Sequence, residues 1–235
     1  MTALAVEQFR YGPDNLGYLI FGERGAIAVD GGAVDEILTF LQKRRLDLVF
    51  VTNTHGHYDH TQGNEDMLRH SRAAFVDCAT LAGRGRLELD GEIITIYATP
   101  GHTLDSLCFH VDSILLTGDT LFNGTVGNCF SGDTHSFYLS IKKILTLPLS
   151  TVIYAGHDYV RDSLAMARHL EPGNPALDRF FSFYDPNHVY SILAEEMRIN
   201  PYLRFNDEPI VRLLRELGLP CDSEEERWQS LMSLE

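Results

Sequence analysis

The chain has 235 residues, enough for one large domain or for a main domain with a small appendage. Its 44% hydrophobic and 22% charged residues are those of an ordinary globular protein. The formal net charge of −14 argues against nucleic acid or an anionic membrane surface as a partner. No apolar run approaches the roughly 20 residues that a transmembrane helix needs, and residues 1–8 lack the basic and apolar segments of a secretory signal.

The four cysteines are scattered along the chain and form no C-x-x-C pair. These spacings predict neither a disulfide framework nor a structural zinc site, so we expect a cytoplasmic protein. Cys108 stands in an apolar stretch and is predicted to be a small core residue.

The first part of the chain predicts strands and helices in the order of an α/β layered fold. Residues 18–21 and 26–29 are short apolar runs around a glycine-bounded turn, which predicts a β-hairpin. Residues 34–45 carry apolar side chains at spacings of three and four, which is typical of an amphipathic helix. Residues 48–51 predict the next strand. Further predicted helices cover residues 64–70 and 137–145, and further predicted strands cover residues 73–77, 92–97, 107–111, 114–117 and 151–154.

From about residue 163 the sequence takes on a helical character. We therefore predict a main α/β domain over residues 1–162 and a small helical domain over residues 163–235. The predicted helices cover residues 164–170, 187–198 and 208–217, and a last one opens at the capping box of residues 223–226. The proline-rich and glycine-rich residues 171–175 separate the first two of these helices.

A dense group of potential metal ligands follows the predicted strand at residues 48–51. His55, His57, Asp59 and His60 lie within six residues of one another. A strand that ends in such a group presents its imidazoles and carboxylate at the edge of a sheet, where a metal ion can bind. A solvated, histidine-rich loop is the alternative interpretation, and the density of ligands favours the metal.

Three later strand ends carry one more potential ligand each, namely His102, Asp119 and His157. Taken singly, these have other interpretations: a hydrogen-bonded loop histidine, a turn aspartate and a helix cap. Together with the first group they supply seven ligands, enough for two divalent ions that share one carboxylate. The other histidines are predicted to be surface or packing residues: His70, His110, His135, His169 and His188.

The order of these motifs resembles the metallo-β-lactamase superfamily. The motifs are H-x-H-x-D-H at 55–60, T-P-G-H-T at 99–103, T-G-D-T-L-F at 117–122 and G-H-D-Y at 156–159. Within the superfamily, the chain is most similar to the hydroxyacylglutathione hydrolases (glyoxalase II). Similarity to their helical C-terminal domain lies in residues 171–174, 193–196 and 200–204. The resemblance implies an α/β (α+β) fold, an αββα sandwich with a small helical C-terminal domain.

The resemblance also implies roles for the ligands. The first metal would be held by His55, His57 and His102, and the second by Asp59, His60 and His157. Asp119 would bridge both ions together with a water or hydroxide, and Asp30 would hydrogen-bond a ligand from behind. Zn²⁺ is the expected metal, and the ligand types also suit Fe²⁺ or Mn²⁺.

The implied reaction is hydrolysis of a small-molecule thioester by the hydroxide that the two metals share, with Asp59 and Asp119 as its catalytic residues. Asp59 would orient the nucleophile while it also serves as a ligand. A thiolate leaves readily, so no strong general acid is needed. The sequence leaves the oligomeric state open.

The predicted substrate-binding residues depart from the family pattern. Asn128 replaces a basic residue that the family usually carries after the bridging aspartate, and the chain lacks the family's basic C-terminal pair. Phe130 stands where the family has Tyr or Phe, and Tyr159 matches a family tyrosine. The substrate is therefore either a hydroxyacylglutathione, with Arg161 or Arg204 binding its carboxylate, or another thioester or ester.

A persulfide dioxygenase, which uses one iron on the same fold, is the main alternative function. The G-H-D-Y motif at residues 156–159 resembles its version of the last ligand motif. The C-terminal motifs favour the hydrolase, and they also argue against a lactonase or a β-lactamase. A non-catalytic metal-binding module would require a closed coordination sphere.

Overall fold

The computed structural model describes residues 3–234, and its framework is a pair of β-sheets. The first sheet contains, in spatial order, β1 (Ala5–Tyr11), β2 (Asn15–Phe21), β3 (Gly25–Val29), β4 (Asp47–Thr52) and β5 (Ala74–Phe75). The second contains β6 (Arg86–Leu89), β7 (Glu92–Ala98), β8 (Leu107–Val111), β9 (Ile114–Gly118), β10 (Val152–Ala155) and β11 (Ser191–Ile192), also in spatial order.

Helices cover the outer faces of the sheets and form most of the C-terminal part. They are α1 (Val34–Arg44), α2 (Tyr58–Thr61), α3 (Asn64–Arg69), α4 (Cys78–Arg84), α5 (Thr134–Ile144), α6 (Val160–Leu170), α7 (Pro175–Phe183), α8 (Leu193–Ile199), α9 (Glu208–Glu216) and α10 (Glu224–Met232). A 3-10 turn, Pro201–Leu203, separates α8 from α9. None of the helices within residues 3–234 is long and apolar enough to cross a membrane.

Three apolar clusters define the layers. The cluster between the sheets joins side chains of the first sheet, such as Ile27, to side chains of the second, such as Phe109. A second cluster packs α1 onto the outer face of the first sheet through Ile37. A third packs α5 and the C-terminal helices onto the second sheet, with Cys108 buried as predicted. These layers confirm the predicted αββα sandwich.

The C-terminal helices share a core with the second sheet. Trp228 of α10 is fully buried, and its ring lies 5.3 Å from that of Phe137 in α5, measured between centroids. Strand β11 pairs with β10, so part of the C-terminal segment extends the sheet itself. The proposed boundary between residues 162 and 163 falls inside α6 and stays a prediction.

Strand direction brings the ligand-bearing loops together. Strands β9 and β10 are parallel, and β7 runs in the same direction because it is antiparallel to β8, which is antiparallel to β9. The carboxyl ends of β7, β9 and β10 therefore lie at one edge of the second sheet. A hydrogen bond from Leu107 N to Thr54 O, 2.8 Å long, joins the residues that follow β4 to the same edge.

The predicted hairpins, the helix at residues 34–45 and the capping box at Ser223 and Glu226 are confirmed. The helix predicted from residue 187 begins only at Leu193, so its first part was wrong. Ser191 and Ile192 pair instead with Ile153 and Val152, because a sheet edge satisfies their backbone groups.

Candidate metal centre

All seven predicted ligands lie together at this sheet edge. They form two groups, and within each group the candidate ligand atoms lie within 4.8 Å of one another. The first group contains His55, His57, His102 and Asp119, and the second contains Asp59, His60 and His157. The loops after β4, β7, β9 and β10 each supply part of this set, which we call the metal floor.

The ring nitrogens within each group face one another. In the first group, His57 Nδ1 lies 2.9 Å from His55 Nε2 and 3.1 Å from His102 Nε2. In the second group, His157 Nε2 lies 3.2 Å from His60 Nε2 and 3.2 Å from Asp59 Oδ2. Each group therefore surrounds a small volume into which several donor atoms point.

The Asp119 carboxylate reaches both groups. Its Oδ2 lies 3.4 Å from His102 Nε2 in the first group and 3.5 Å from His157 Nε2 in the second. Its Oδ1 lies 3.4 Å from His60 Nε2. This position between the two groups is the one that a bridging ligand requires.

Hydrogen bonds from behind fix the tautomers of three imidazoles. His60 Nδ1 faces Asp30 Oδ2 at 3.1 Å, His157 Nδ1 faces Asp14 Oδ1 at 3.0 Å, and His102 Nδ1 faces Asn128 O at 2.9 Å. Carboxylate and carbonyl oxygens only accept, so each Nδ1 carries the hydrogen. The Nε2 lone pair of each ring is therefore directed at the centre of the cluster.

Asp30 also sets the tautomer of His55, through Thr54. The Thr54 hydroxyl lies 2.7 Å from Asp30 Oδ2 and donates to it, because the carboxylate has no hydrogen to give. The Thr54 oxygen then accepts from His55 Nδ1 at 3.1 Å. Asp30 is fully buried and thus orients one imidazole in each group, and the sequence predicted such a position for it.

This donor set fits two divalent cations. Lone pairs that face one another at about 3 Å repel unless a cation lies between them. Asp119 Oδ1 is buried and has no hydrogen-bond partner among the described residues, although an unpaired buried carboxylate oxygen is costly. Imidazole and carboxylate ligands together suit Zn²⁺, Fe²⁺ or Mn²⁺.

The pKa values show that the carboxylates draw positive charge into the cluster. Burial lowers the pKa of His55 to about 4 and also lowers that of His102. Burial opposes protonation of His60 as well, but the carboxylates of Asp30 and Asp119 raise its pKa to about 11, so its Nε2 takes up either a proton or a metal ion. Burial raises the pKa of Asp119, yet the contacts of His157 and His60 hold it well below its usual range.

A glycine makes room for the bridging carboxylate. A Cβ at Gly156 would overlap Asp119 Oδ1 and come within 2.8 Å of the His60 ring. The residue before His157 in the G-H-D-Y motif must therefore lack a side chain.

The sequence profile of the metallo-beta-lactamase superfamily matches residues 14–76 and 79–157, a span that includes all seven ligands. The chain belongs to the metallo-β-lactamase superfamily. Among its relatives, the hydroxyacylglutathione hydrolase of Pseudoalteromonas translucida is 32% identical, over 89% of this chain and 88% of that protein. The hydroxyacylglutathione hydrolase of Maricaulis maris is 30% identical, over 96% of this chain and 95% of its own.

Solved structures show the same fold. ETHE1 from Myxococcus xanthus superposes with a TM-score of 0.66 at 24% sequence identity, covering 96% of this chain and 99% of that one. The profile and the relatives confirm the predicted resemblance: the chain is a member of the metallo-β-lactamase superfamily, has a cluster of residues able to bind metal, and is similar to hydroxyacylglutathione hydrolases (glyoxalase II).

Two residues of this superfamily member's site were missed by the sequence analysis. Asp14 ends the turn between β1 and β2, and Asn15 is the first residue of β2. The Asn15 amide donates to Asp59 Oδ2 at 2.9 Å, and the Asp14 carboxylate accepts from His157 Nδ1. Backbone hydrogen bonds from Leu16 N to Gly156 O and from Asp158 N to Asp14 O fix this turn against the last ligand loop. In the sequence, these two residues are recognisable only as a polar pair directly before the apolar residues of β2.

The predicted substrate-binding residues lie around the metal floor. The half-buried Tyr159 ring stacks on that of His157, with centroids 4.8 Å apart and an interplanar angle of 8°. The exposed Phe130 ring meets the rings of His102 and His57 edge-on, at 5.2 and 5.8 Å. Asn128 contributes its carbonyl to His102, and its side chain lies at the surface.

Other candidates of the sequence analysis are engaged elsewhere. Arg204 forms ion pairs with Glu171 at 2.6 Å and with Asp207 at 2.8 Å. The Arg161 guanidinium lies over the ring of Phe181, 5.4 Å from its centroid. Two of the histidines predicted to lie outside the site have partners of their own: His135 pairs with Glu225 at 2.7 Å, and His188 bonds the Tyr154 hydroxyl at 2.7 Å.

Proposed function

We propose that the protein is a thioester hydrolase with two divalent metal ions in its active site. The observation that carries this proposal is the metal floor: seven donors in two groups, with Asp119 reaching both. The relatives named hydroxyacylglutathione hydrolase match nearly the whole chain and support a thioester as the substrate. We further propose a cytoplasmic location and a small-molecule substrate.

The proposed ligands follow the two groups. One ion, for which zinc is expected, would be held by His55, His57 and His102, and the other by Asp59, His60 and His157, with Asp119 shared. Two such ions would lower the pKa of a water between them and polarise the substrate carbonyl.

The residues of the chain would orient the reactants. Asp59 is 44% exposed at its side chain, and Asn15 holds one of its oxygens, so the carboxylate stands between the buried ligands and the solvent. From there Asp59 accepts a proton from the attacking water while the water oxygen bonds to the carbonyl carbon. The carbon–sulfur bond then breaks, and the sulfur leaves as a thiolate without a general acid. The thiolate then takes up a proton from the solvent, because a thiol pKa of about 8.5 lies above neutral pH.

Metal analysis combined with a hydrolysis assay tests this function. We expect two metal equivalents per chain and oxygen-independent cleavage of S-lactoylglutathione or of another thioester. Asp59→Ala should lower kcat by about a hundredfold or more, since it removes a ligand and the proposed proton acceptor. Glu36→Ala, at an exposed carboxylate in the first turn of α1, is the matched control and should change neither quantity. An Asp59→Ala protein with full metal content and full activity would refute the role of Asp59.

The same measurements separate the hydrolase from a persulfide dioxygenase. One iron per chain, together with oxygen uptake that depends on glutathione persulfide and no cleavage of thioesters, would overturn the proposed function.

A further inference from the structure

We infer that the active site takes a neutral thioester with an apolar acyl chain rather than an anionic one such as an acylglutathione. This inference rests on the proposed function and concerns the surface around the metal floor. Three large apolar side chains there are exposed to solvent: Tyr58 by 79%, Leu104 by 74% and Phe130 by 67%. We call these three residues the apolar rim.

Each rim residue is tied to the metal floor by chain position or by contact. Tyr58 lies between the ligands His57 and Asp59, and Leu104 follows the ligand His102 by two residues. Phe130 contacts the His102 ring directly. The loops that carry Tyr58 and Leu104 are neighbours, because a Cβ at Gly56 would lie 3.1 Å from the Asp105 carboxylate.

Exposure alone does not identify a binding surface, since single exposed apolar residues are common. Phe183 in α7, for example, is 77% exposed and belongs to the C-terminal helices. The rim differs because its members lie on three separate segments of the chain, each of which carries or contacts a ligand of the same centre. A group of apolar side chains around a site is what a ligand with an apolar part covers.

The charges at the rim are negative. The carboxylate of Asp14 is 37% exposed, and Asp105 is exposed beside Leu104; neither is a proposed ligand, so neither would be neutralised by direct coordination to a metal ion. Within residues 3–234, no lysine or arginine side chain forms a hydrogen bond or ion pair with a ligand or a rim residue. Beyond the metal ions themselves, the side chains of such a mouth offer a substrate carboxylate no cationic partner.

Arg10 and the two arginines that the sequence analysis proposed for the substrate carboxylate have partners already. Arg10 is held by Asp158, the residue after His157, and Arg161 stacks on Phe181 and Tyr184. Arg204 forms ion pairs with Glu171 and Asp207. A substrate carboxylate would have to displace an aspartate or glutamate from Arg10 or Arg204, whereas an acyl chain covers the rim without such an exchange.

Three thioesters separate charge from apolar length: S-acetyl-N-acetylcysteamine, S-hexanoyl-N-acetylcysteamine and S-hexanoylglutathione. With the metal-loaded protein, we expect kcat/KM for the neutral hexanoyl ester to exceed that for S-hexanoylglutathione by about tenfold or more. It should also exceed that for the neutral acetyl ester by about tenfold, because four more methylene groups leave water.

Substitutions at Phe130 test whether the rim causes these substrate preferences. Phe130→Ala should lower kcat/KM for the neutral hexanoyl ester by about fivefold and change that for the acetyl ester less than about twofold. Phe130→Lys should raise kcat/KM for S-hexanoylglutathione, because it supplies the missing cation. Phe183→Ala is the matched control at an equally exposed phenylalanine and should leave all three values unchanged.

The outcomes distinguish this inference from the function beneath it. Equal or faster cleavage of S-hexanoylglutathione, or equal cleavage of the acetyl and hexanoyl esters, would overturn the inference and leave the thioester hydrolase intact. If the protein carries two metals and cleaves none of the three esters or S-lactoylglutathione, the proposed function fails and this inference fails with it.

Discussion

The metal floor and the apolar rim lie next to each other, but their side chains are held in place in different ways. On the floor, four of the five histidines have a partner for the ring nitrogen that faces away from the centre, and Asp30 alone orients two of them. The rim side chains are large, exposed and apolar, and Phe130 touches the floor only through ring edges. One region is held by directional bonds, and the other is not.

From this difference we expect the floor to determine the reaction and the rim to determine which substrate is bound. A substitution on the floor disturbs ligands that share a carboxylate, so its effect spreads to both metal groups. A substitution on the rim changes which substrate is covered, and the floor does not depend on it for orientation. Three predictions test this separation, beginning with the largest effect.

The two aspartates behind the floor should differ strongly in their effect on metal affinity. Asp30→Asn places an amide where the carboxylate accepts from Thr54 and His60, so it misaligns an imidazole in each group. Asn tolerates the left-handed backbone of position 30, where φ is 53°, so the change does not strain the chain. At about 10-fold to 100-fold per disturbed ligand, we expect Asp30→Asn to weaken metal binding by about a thousandfold.

Asp14→Asn is the matched variant, since the Asp14 carboxylate orients only one ligand, His157, and is 37% exposed. Its expected cost is about tenfold in metal affinity. Competition with a chelator measures both affinities, and circular dichroism verifies that both variants fold. Equal losses for the two variants would show that Asp30 does not act through two imidazoles.

Most of the fold followed from local signals. Hairpins, the first helix and the last capping box depend on turn residues and side-chain periods that a short window contains. Helix α7 was missed because Pro175 was interpreted as a stop, whereas it stands at the first turn, where proline is well tolerated. Strand β1 was missed because its half-exposed side chains give no clear alternation.

The residues of the site also differ in how well local sequence signals predict them. The floor was predictable because each ligand stands in a short motif at a strand end. Asp14 and Asn15 were not, because their partners Asp59 and His157 are more than 40 residues away and only the fold brings them together. The rim was missed as a set, because an exposed leucine or tyrosine in a loop carries no signal until its neighbours are known.

A buried carboxyl in the C-terminal part supports the loop that carries Phe130 of the rim and Asn128, whose carbonyl accepts from His102 of the floor. Glu196 is fully buried and accepts from Gly124 N at 3.0 Å and from the Asn200 amide at 2.9 Å. The Asn200 amide also donates to Thr125 O. Burial raises the pKa of Glu196 to about 7.

The sign of the pH effect follows from this raised pKa. Between about pH 4.5, where the unfolded carboxyl titrates, and about pH 7, the folded state holds a proton that the unfolded state has lost. Glu196 therefore costs nothing below pH 4.5 and destabilises the fold increasingly up to about pH 7, by about 3 kcal/mol. Urea unfolding at several pH values should show this fall in the wild type relative to Glu196→Gln.

The comparison with Glu196→Gln cancels the histidines and carboxylates of the floor, which titrate in both proteins. Glu208→Gln, at an exposed carboxyl in the first turn of α9, should run parallel to the wild type. If Glu196→Gln also runs parallel to the wild type, the carboxyl titrates as it does in water, and burial does not govern it.

The smallest effect is expected at the rim. Tyr58→Ala removes an exposed ring at the first position of α2, so the free energy of unfolding should change by less than about 0.5 kcal/mol. Metal content should stay at the wild-type value, because within residues 3–234 the Tyr58 side chain forms no hydrogen bond or ring contact with a ligand, and Asn15 holds the neighbouring Asp59. Tyr18→Ala is the contrasting variant: Tyr18 is 1% exposed, stacks on Tyr154 and donates to Ala155 O, so its loss should cost about 3–5 kcal/mol. A Tyr58→Ala protein that lost metal would show that the rim also holds the floor in place, and the separation of reactivity from selectivity would fail.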